Sequence, residues 1–493
     1  MLRGSLKRRR SCSVDLNPAV ITGLDPTQEE IALQELDLDT ENTPNELVEP
    51  QNTPYTGQLV TFNPHSFYII YQEDGHAICS DFLVGPCSPG LLCPKHHTVL
   101  PYLWQLRYKD TKQWWSFDDG AQLVLERLYS DPSKEQVTAV HQGSNILIDL
   151  TMMAVHQSQW FDLIRRLSTS TRPEDEFHTI YKYYYEKEDD KWEEYSPDFM
   201  KCIEEGIKNQ QEEVLFSYAG NKYSLHLVNL AQTNVSSKTV RRMRRRPEFR
   251  SPVTMCHRLR SFLHSTACPC PWSSTRFSER DRTFPKSWCV TNSSLIYEKS
   301  LLKSADTEYV HVYTKFHRTM AESKYIILEI SRIQNYFQWE NYFRKKLYME
   351  KTLKGTIGGC LERYLFHGTS LSHIEGICNL NFDPRVSGKN GTLYGKGSYF
   401  ARDASYSHGY SPATPEGHHF MFLAKVLVGR PALGKSSYNR PPPLNGECES
   451  SLLYDSCVDK ACEPTVFIVF DRDQFYPYFL IKYQKLENLV LLD

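Results

Sequence analysis

The chain has 493 residues, of which 40% are hydrophobic and 13% aromatic, and its 57 basic and 59 acidic residues give a net charge of −2. No stretch approaches the roughly 18 uncharged apolar residues of a membrane-spanning helix, and no apolar region follows the basic N-terminus, so we expect neither an integral membrane protein nor a secreted one. The near-neutral charge excludes electrostatic binding of nucleic acid by the whole chain. Its 14 cysteines are expected as thiols or metal ligands in a reducing compartment.

Residues 1–56 are polar and separate their charges, with a basic cluster at Lys7–Arg10 and an acidic stretch from Glu29 to Glu49. Such a segment buries too little apolar surface to offset its ordering entropy, so we predict a disordered tail. The basic cluster predicts a nuclear import signal and hence a nuclear protein, with a solvated tail as the alternative.

A metal site is predicted in residues 57–98. Cys79, Cys87, Cys93 and His97 have the spacing C-x7-C-x5-C-x3-H among turn-forming glycines and prolines. Three thiolates and one imidazole complete a tetrahedral shell, which predicts structural Zn²⁺. His96 is an alternative fourth ligand.

The spacing of these ligands resembles CCCH fingers, many of which bind single-stranded RNA on aromatic side chains. Only Phe82 lies within the ligand loops, and single-strand binding normally needs several stacking platforms and a basic groove. RNA binding is therefore a hypothesis, and we favour a structural or protein-docking role.

Two blocks at 99–168 and 178–246 repeat one layout: aromatic strands, a helix, then further strands. Asp118 and Asp119 are candidate caps of the first helix, and Ser196-Pro197 marks the start of the second. The sequence therefore predicts two tandem α+β modules.

The two blocks resemble WWE domains, which in several proteins recognise ADP-ribose. On that resemblance Tyr223, Gln232 and Arg242 of the second block would bind the adenine and phosphates. At the corresponding positions the first block has Ile146, Val155 and Arg165, so only one of the three ligand-binding residue types is kept. This implies a packing or interaction module. The run Arg241–Arg246 has a rival interpretation as a nuclear or nucleic-acid-binding patch.

Residues 247–282 are irregular and predict a linker, and 283–489 form a larger block of helix and strand signals. KYIILEISRI, YLFHGTS, FMFLAKVLVG, TVFIVFD and YFLIKYQ predict strands, and Trp339, Phe343 and Leu347 repeat at helical spacing. His367 ends one strand next to Gly368. About 30 residues later comes YGKGSYFARDASYSHGY. Gly391, just before it, and Gly395 and Gly397 within it allow close backbone approach, and Tyr399 and Tyr410 offer rings for stacking.

These motifs, together with NRPPPLNG, YDSCVD and QFYPYFLIKY, resemble the diphtheria-toxin-like ADP-ribosyltransferases of the poly(ADP-ribose) polymerase family. The resemblance implies antiparallel sheets that form an NAD⁺ cleft. It also implies that His367 binds the adenosine ribose, that Gly368 and Ser407 hold the nicotinamide carboxamide, and that Tyr399 and Tyr410 sandwich the nicotinamide ring. On this basis NAD⁺ is a substrate.

Polymerising members of the family carry a carboxylate where this chain has Val466. A valine cannot accept a hydrogen bond from a ribose hydroxyl, so chain elongation is expected to fail. Transfer of a single ADP-ribose to Asp, Glu or Cys of a protein, this chain included, is the favoured prediction, and a pseudoenzyme is the alternative. Glu463 is a weak candidate for the missing carboxylate because it lies three residues away, before a proline.

The predicted fold class is multidomain α+β: a zinc finger, two WWE-like modules and an ADP-ribosyltransferase domain. The predicted function is protein mono-ADP-ribosylation. Its rival is a non-catalytic adaptor that binds RNA through the finger and ADP-ribose through the second module.

Overall fold

The computed structural model describes residues 57–63, 66–187, 191–256, 258–259, 284–285, 287–288, 295–353, 361–386, 392–444 and 452–492. The predicted tail at 1–56 with its basic cluster lies outside these residues, as do most of the predicted linker and Gly391. No helix among the described residues is long and apolar enough to cross a membrane.

The region of the predicted finger packs against the first module. Its elements are strands β1 (Gly57–Asn63) and β2 (Ser66–Tyr71), which pair antiparallel, helix α1 (Ser80–Val84) and a 3-10 turn at Gly90–Leu92. Ile78 donates a backbone hydrogen bond to the Ser168 carbonyl (2.9 Å), and Ile78 and Leu83 share a buried cluster with Tyr102 and Leu167. Burial of these side chains fixes the position of the finger.

Both predicted modules have the element order strand, strand, helix and four strands. The first comprises β3 (Tyr102–Tyr108), β4 (Trp114–Ser116), α2 (Asp119–Ser130), β5 (Gln136–His141), β6 (Ser144–Asp149), β7 (Ala154–His156) and β8 (Phe161–Ser168). The second comprises β9 (Tyr181–Glu186), β10 (Trp192–Glu194), α3 (Pro197–Lys208), β11 (Glu213–Tyr218), β12 (Asn221–His226), β13 (Ala231–Asn234) and β14 (Val240–Pro247). The helices begin where their caps predicted: Asp118 accepts hydrogen bonds from the Gly120 and Ala121 amides (2.7 and 3.1 Å), and Pro197 opens α3.

The modules also share one sheet topology. The strand order is β5-β6-β7-β8-β3-β4 in the first and β11-β12-β13-β14-β9-β10 in the second. Each sheet packs its helix against one face, which gives each module a small core of its own.

The remaining elements belong mainly to the C-terminal block. They are α4 (Pro252–Met255), β15 (Glu298–Leu301), α5 (Thr307–His317), β16 (Tyr325–Gln334), α6 (Tyr336–Thr352), β17 (Glu362–Thr369), α7 (Ile374–Leu380), β18 (Ser398–Ala401), α8 (Ala404–His408), β19 (His418–Leu427), β20 (Pro431–Leu433), β21 (Ser456–Val458), β22 (Val466–Val469), β23 (Phe475–Lys485) and β24 (Leu489–Leu491). The predicted strands and the helix around Trp339 are all present.

Nine of these strands form one sheet in the order β15-β16-β23-β19-β17-β18-β22-β21-β20. Every neighbouring pair is antiparallel except β20 with β21. The two strands β17 and β18 are joined only by the pair Phe366 and Ala401, whereas β17 and β19 pair over eight positions. The expected pair of antiparallel sheets is therefore one sheet whose two halves meet at a single residue pair.

The last strand, β24, leaves the C-terminal block and completes the sheet of the first module. It pairs in parallel with β5, and Val490 and Leu492 are buried in that module's core. Arg127 of α2 adds hydrogen bonds to the Tyr313 hydroxyl (2.9 Å) and the Glu322 carbonyl (2.7 Å). The boundary predicted at residue 489 thus falls at the start of a strand that joins the two parts.

Candidate active site and metal centre

His367 lies on β17 directly after Phe366, the residue that pairs with β18. Its Nδ1 is 2.7 Å from the backbone carbonyl oxygen of Tyr399 on β18. A carbonyl only accepts, so Nδ1 carries the proton and donates. Burial is the main influence on the ring, and it lowers the pKa of His367, which keeps the imidazole neutral near pH 7. Nε2 then remains a hydrogen-bond acceptor suited to a ligand hydroxyl.

Gly368 follows at the point where the turn after α8 crosses the end of β17. A Cβ atom at this position would lie 2.0 Å from the Ser407 carbonyl oxygen and 3.2 Å from the Tyr410 carbonyl carbon. No other residue fits without moving one of the two segments. The structure therefore brings Gly368, Ser407 and Tyr410 together, as the sequence predicted.

Tyr399 and Tyr410 differ in how firmly they are held. The Tyr399 hydroxyl donates to the Gly395 carbonyl (2.8 Å) and accepts from the Tyr394 amide (3.0 Å), and burial raises its pKa. Tyr410 is 44% exposed, with its ring 5.9 Å from that of Tyr406. Tyr399 thus forms a fixed aromatic wall, and Tyr410 offers an accessible one.

Val466 opens β22 directly opposite Ala401, two residues from Tyr399. It is 2% exposed and shares an apolar cluster with Cys457 and Ile468, against which Tyr399 packs. Glu463 is exposed, in a left-handed backbone conformation (φ 47°). The position next to the Tyr399 wall is therefore apolar, and Glu463 does not occupy it.

The glycines near Tyr399 serve protein packing. A Cβ atom at Gly395 would lie 2.8 Å from the Phe470 ring, and one at Gly397 would lie 2.7 Å from the Val469 carbonyl oxygen. Phe470 and Val469 therefore explain why these two positions are glycine, and the approach of a ligand to their backbone stays a prediction.

The predicted metal ligands form one cluster. The side-chain donor atoms of Cys79, Cys87, Cys93 and His97 all lie within 4.8 Å of one another, and the Cys79 and Cys87 sulfurs are 3.7 Å apart. Burial and the neighbouring thiols raise the pKa of Cys87 to about 12. Three converging sulfurs and one imidazole nitrogen, most of them buried, are a donor set that suits a soft divalent metal.

His96 faces away from this cluster. Its Nδ1 accepts a hydrogen bond from the Tyr71 amide (3.1 Å), and burial, reinforced by Arg165 and His76, lowers its pKa to about 4. The ring of His97 instead stacks on Phe82 (4.2 Å between centroids, 8° between planes). The structure therefore favours His97 over His96 as the fourth ligand.

The three candidate ADP-ribose contacts of the second module do not share one face of its sheet. Gln232 pairs with Leu225 and Arg241, and Tyr223 lies two residues from Leu225 on the same strand. Residues directly opposite in antiparallel strands project from the same face. Tyr223, Gln232 and Arg241 thus share the face of the buried Leu225, and Arg242 projects from the other.

Arg242, Arg244 and Arg246 contact residues of the first module. Arg242 forms ion pairs with Glu186 (2.5 Å) and with Glu135 of the first module (3.0 Å). The guanidinium of Arg244 lies 4.1 Å from the Trp192 ring centroid and also pairs with Glu135, and Arg246 lies over Tyr129. The run Arg241–Arg246 is therefore largely a packing surface and does not form the open basic patch considered above.

The corresponding positions of the first module are occupied by the protein itself. Ile146 and Val155 are buried in its core. Arg165 donates to the Tyr71 and Gln72 carbonyls and to Asp74 (2.8–3.0 Å), and its guanidinium lies 4.3 Å from the Trp114 ring centroid. This guanidinium holds the loop that leads into the finger, in agreement with the predicted packing role.

Comparison with known proteins identifies two of these regions. Residues 306–485 match the poly(ADP-ribose) polymerase catalytic domain, and residues 181–245 match the WWE domain. The chain is 32% identical to the mouse protein mono-ADP-ribosyltransferase PARP11 over 332 residues, which cover 62% of this chain and 92% of that protein. The chain belongs to the poly(ADP-ribose) polymerase family.

Other members of the family match a longer part of the chain. The mouse protein mono-ADP-ribosyltransferase PARP12 is 34% identical over 439 residues, and the chain spans 58% of its length. The mouse zinc finger CCCH-type antiviral protein 1 is 28% identical over 390 residues, or 38% of its length. The family domain contains His367, Gly368, Tyr399, Ser407, Tyr410 and Val466, and the WWE match contains Tyr223, Gln232 and Arg242.

The sequence prediction missed two features of these sites. One is Arg241, which lies directly opposite Gln232 on the face that Arg242 was expected to share. The other is the pair of tyrosines, Tyr325 and Tyr483, that contact His408 in the Ser407–Ser411 turn. Strand alternation would have identified Arg241 only if the length of the turn between β13 and β14 had been known. The contacts behind the Ser407–Ser411 turn depend on β16, β19 and β23, which are distant in sequence.

Proposed function

We propose that this family member is a protein mono-ADP-ribosyltransferase that uses NAD⁺ and releases nicotinamide. His367 Nε2 would accept a hydrogen bond from the adenosine ribose, and the Gly368 backbone with Ser407 would hold the carboxamide. Tyr399 and Tyr410 would enclose the nicotinamide ring from two sides. The observation that carries the proposal is the close approach of the Ser407 carbonyl to Gly368, which brings together the residues proposed to form the nicotinamide slot.

In the proposed reaction the bond between nicotinamide nitrogen and ribose C1 breaks, and the electron pair leaves with nicotinamide. C1 gains oxocarbenium character, and a carboxylate or thiolate of an acceptor protein then forms the new bond at C1. The role of the protein is to fix the leaving group and the ribose so that the bond is aligned for cleavage. The acceptor supplies its own nucleophile, so no base from this chain is required.

The apolar surroundings of Val466 support transfer of one unit. Extending a chain requires a group that accepts a proton or hydrogen bond from the hydroxyl of an attached ADP-ribose. The side chains of Val466 and its buried neighbours Cys457 and Ile468 offer no strong acceptor. The adjacent carboxylate, Asp459, already accepts from the Thr465 and Val466 amides and the Thr465 hydroxyl. The names of the relatives PARP12 and PARP11 agree with this proposal.

Incubation with labelled NAD⁺ tests it. We expect discrete adducts, each a single ADP-ribose by intact-protein mass spectrometry, on the chain itself and on added acceptor proteins. His367→Ala should lower labelling by about a hundredfold, because it removes a group that orients the ribose. His311→Ala, a substitution of an exposed histidine on α5, should keep normal labelling.

Each other result has a defined meaning. Ladders of many units would contradict the argument from Val466. The absence of label from every protein, with the metal site and the fold intact, would favour the non-catalytic adaptor.

We also propose that the four clustered ligands bind one structural Zn²⁺. Three sulfurs and one imidazole nitrogen suit tetrahedral zinc, and the set leaves no open position for a reacting water. RNA binding on Phe82 is not part of the proposal, because His97 already covers one face of that ring. Nuclear localisation stays a prediction from the basic cluster Lys7–Arg10.

For the WWE domain we propose recognition of ADP-ribose. Tyr223 would stack on the adenine base, and Gln232 would form hydrogen bonds with the ligand. The Tyr223 ring is held parallel to Phe216 (5.2 Å, 19°), and Gln232 accepts a hydrogen bond from Tyr195. Arg241 is the guanidinium on this face, 6.0 Å from the Tyr185 ring centroid. It is therefore the proposed phosphate ligand, in place of Arg242.

Calorimetry with ADP-ribose distinguishes the two arginines. Arg241→Ala and Gln232→Ala should each weaken binding by about 10–100-fold, the loss expected for one or two hydrogen bonds to a charged group. Arg242→Ala should change the affinity by less than about threefold, although it loosens the contact between the modules. A larger loss for Arg242→Ala than for Arg241→Ala would refute the assignment by strand face.

A further inference from the structure

A group of polar aromatic side chains lies behind the turn that carries Ser407 and Tyr410. His408 is its centre. His408 Nδ1 is 2.8 Å from the hydroxyl oxygen of Tyr483 on β23, and Nε2 is 3.3 Å from the hydroxyl oxygen of Tyr325 at the start of β16. Both nitrogens of the ring thus engage strands of the sheet.

The other end of the turn is held by β19. His419 Nδ1 is 2.6 Å from the Ser411 carbonyl oxygen, and the His419 ring stacks on Tyr483 (5.3 Å, 22°). The Ser411 hydroxyl donates to the Phe420 carbonyl (2.6 Å) and accepts from the Phe420 amide (3.0 Å). The turn is therefore fixed to the sheet at both His408 and Ser411.

These contacts suit a neutral imidazole. Burial, followed by the neighbouring His419, lowers the pKa of His408. In the neutral ring one nitrogen donates and the other accepts, and each tyrosine hydroxyl can take either role. Both His408 bonds can then be satisfied together, which leaves the ring a single orientation.

The position of this turn sets the separation of Ser407 and Tyr410 from Gly368. The Ser407 carbonyl already approaches Gly368 as closely as glycine allows, so the turn cannot move inward. Against outward movement the turn is held by the contacts of His408 and Ser411, and helix α8 before it by Thr319 and Arg318. A displacement of about 1 Å is enough to lose most of an oriented contact.

We propose that His408 is a positioning residue which, through Tyr325 and Tyr483, sets the distance of Ser407 and Tyr410 from Gly368 and thereby the affinity for the nicotinamide half of NAD⁺. The inference rests on the proposed function of the slot. It assigns His408 no contact with the substrate.

Benzamide, a mimic of nicotinamide, measures this directly without any transfer reaction. His408→Ala and Tyr483→Phe in the full chain should raise the benzamide dissociation constant about tenfold, the effect of one lost hydrogen bond. His408→Asn, which keeps one donor and one acceptor, should recover to within about threefold of the wild type.

Tyr476→Phe is the matched control. It removes a buried hydroxyl from the same strand, one that donates to the Ile333 carbonyl (3.0 Å) and accepts from the Asn335 amide (2.9 Å), far along β23 from the turn. It should lower the melting temperature much as Tyr483→Phe does and leave benzamide affinity unchanged. Equal weakening by both variants, or an unchanged affinity in His408→Ala, would overturn the inference.

The outcomes separate this inference from the proposed function. A wild-type chain that binds no benzamide would overturn both. A wild-type chain that binds benzamide but labels no protein would defeat only the transferase proposal, since the comparison of the variants would still decide the role of His408.

Discussion

Gly368→Ala is expected to abolish ADP-ribosyl transfer. The new Cβ would lie 2.0 Å from the Ser407 carbonyl oxygen, which is well inside van der Waals contact. A Cβ is bonded directly to the backbone and the carbonyl oxygen is part of it, so neither atom can avoid the clash by a change of rotamer. The turn must therefore move by about 1 Å or more, and a misplacement of that size in an oriented site costs about a hundredfold in rate. We expect loss of benzamide binding together with loss of labelling.

Gly376→Ala is the control for this substitution. Gly376 lies in α7, and no heavy atom lies within 4 Å of a Cβ built there. An alanine inside a helix is expected to stabilise it by about 0.5–1 kcal/mol. Activity equal to the wild type in Gly376→Ala, with loss in Gly368→Ala, would locate the effect at the turn. A fully active Gly368→Ala would contradict the proposed slot.

The second large effect is expected at the metal centre. His97→Ala removes one of four proposed ligands, and zinc affinity should fall by more than the roughly 10–100-fold that loss of a ligand's hydrogen-bond partner costs. Binding of a structural zinc supplies about 10 kcal/mol or more to the folding of small metal domains. Zinc content by elemental analysis and the melting temperature should both fall, and a strong chelator should produce the same change in the wild type.

His96→Ala provides the comparison from the adjacent position. His96 accepts a hydrogen bond from the Tyr71 amide, so its loss should destabilise the finger, but only by about 1–3 kcal/mol for the buried donor left unpaired. The variant should keep one zinc per chain. Retention of zinc by His97→Ala with loss in His96→Ala would reverse the ligand assignment.

Features set by short-range sequence were predictable. The spacing of Cys79, Cys87, Cys93 and His97 placed four donor atoms together, because a short loop with turn residues has few ways to fold around a metal. The N-cap Asp118 and the first-turn proline Pro197 marked the starts of two helices for a similar local reason. In the catalytic domain, His367 and Gly368 are adjacent on one strand, so their relative position follows from the local sequence.

Features set by register and by distant partners were not predictable. The face of Arg242 depends on which residue of β13 lies opposite it, and a shift of one residue reverses that face. The role of Arg165 depends on a loop more than 90 residues away. The contacts of His408 require β16, β19 and β23 to be adjacent, which no local pattern specifies.

The attachment of β24 to β5 has a consequence for biosynthesis. Asn488 and Gln136, which are hydrogen-bonded at this junction, are 352 positions apart, so the first module emerges from the ribosome with one side of its sheet unfilled. At about 5–20 residues per second, this vacancy lasts for tens of seconds of translation. During that time its unpaired amides and carbonyls can recruit the wrong strand. Nascent chains of this protein are therefore expected to depend on chaperones until residue 492 has been made, and fragments that stop before β24 should aggregate when expressed.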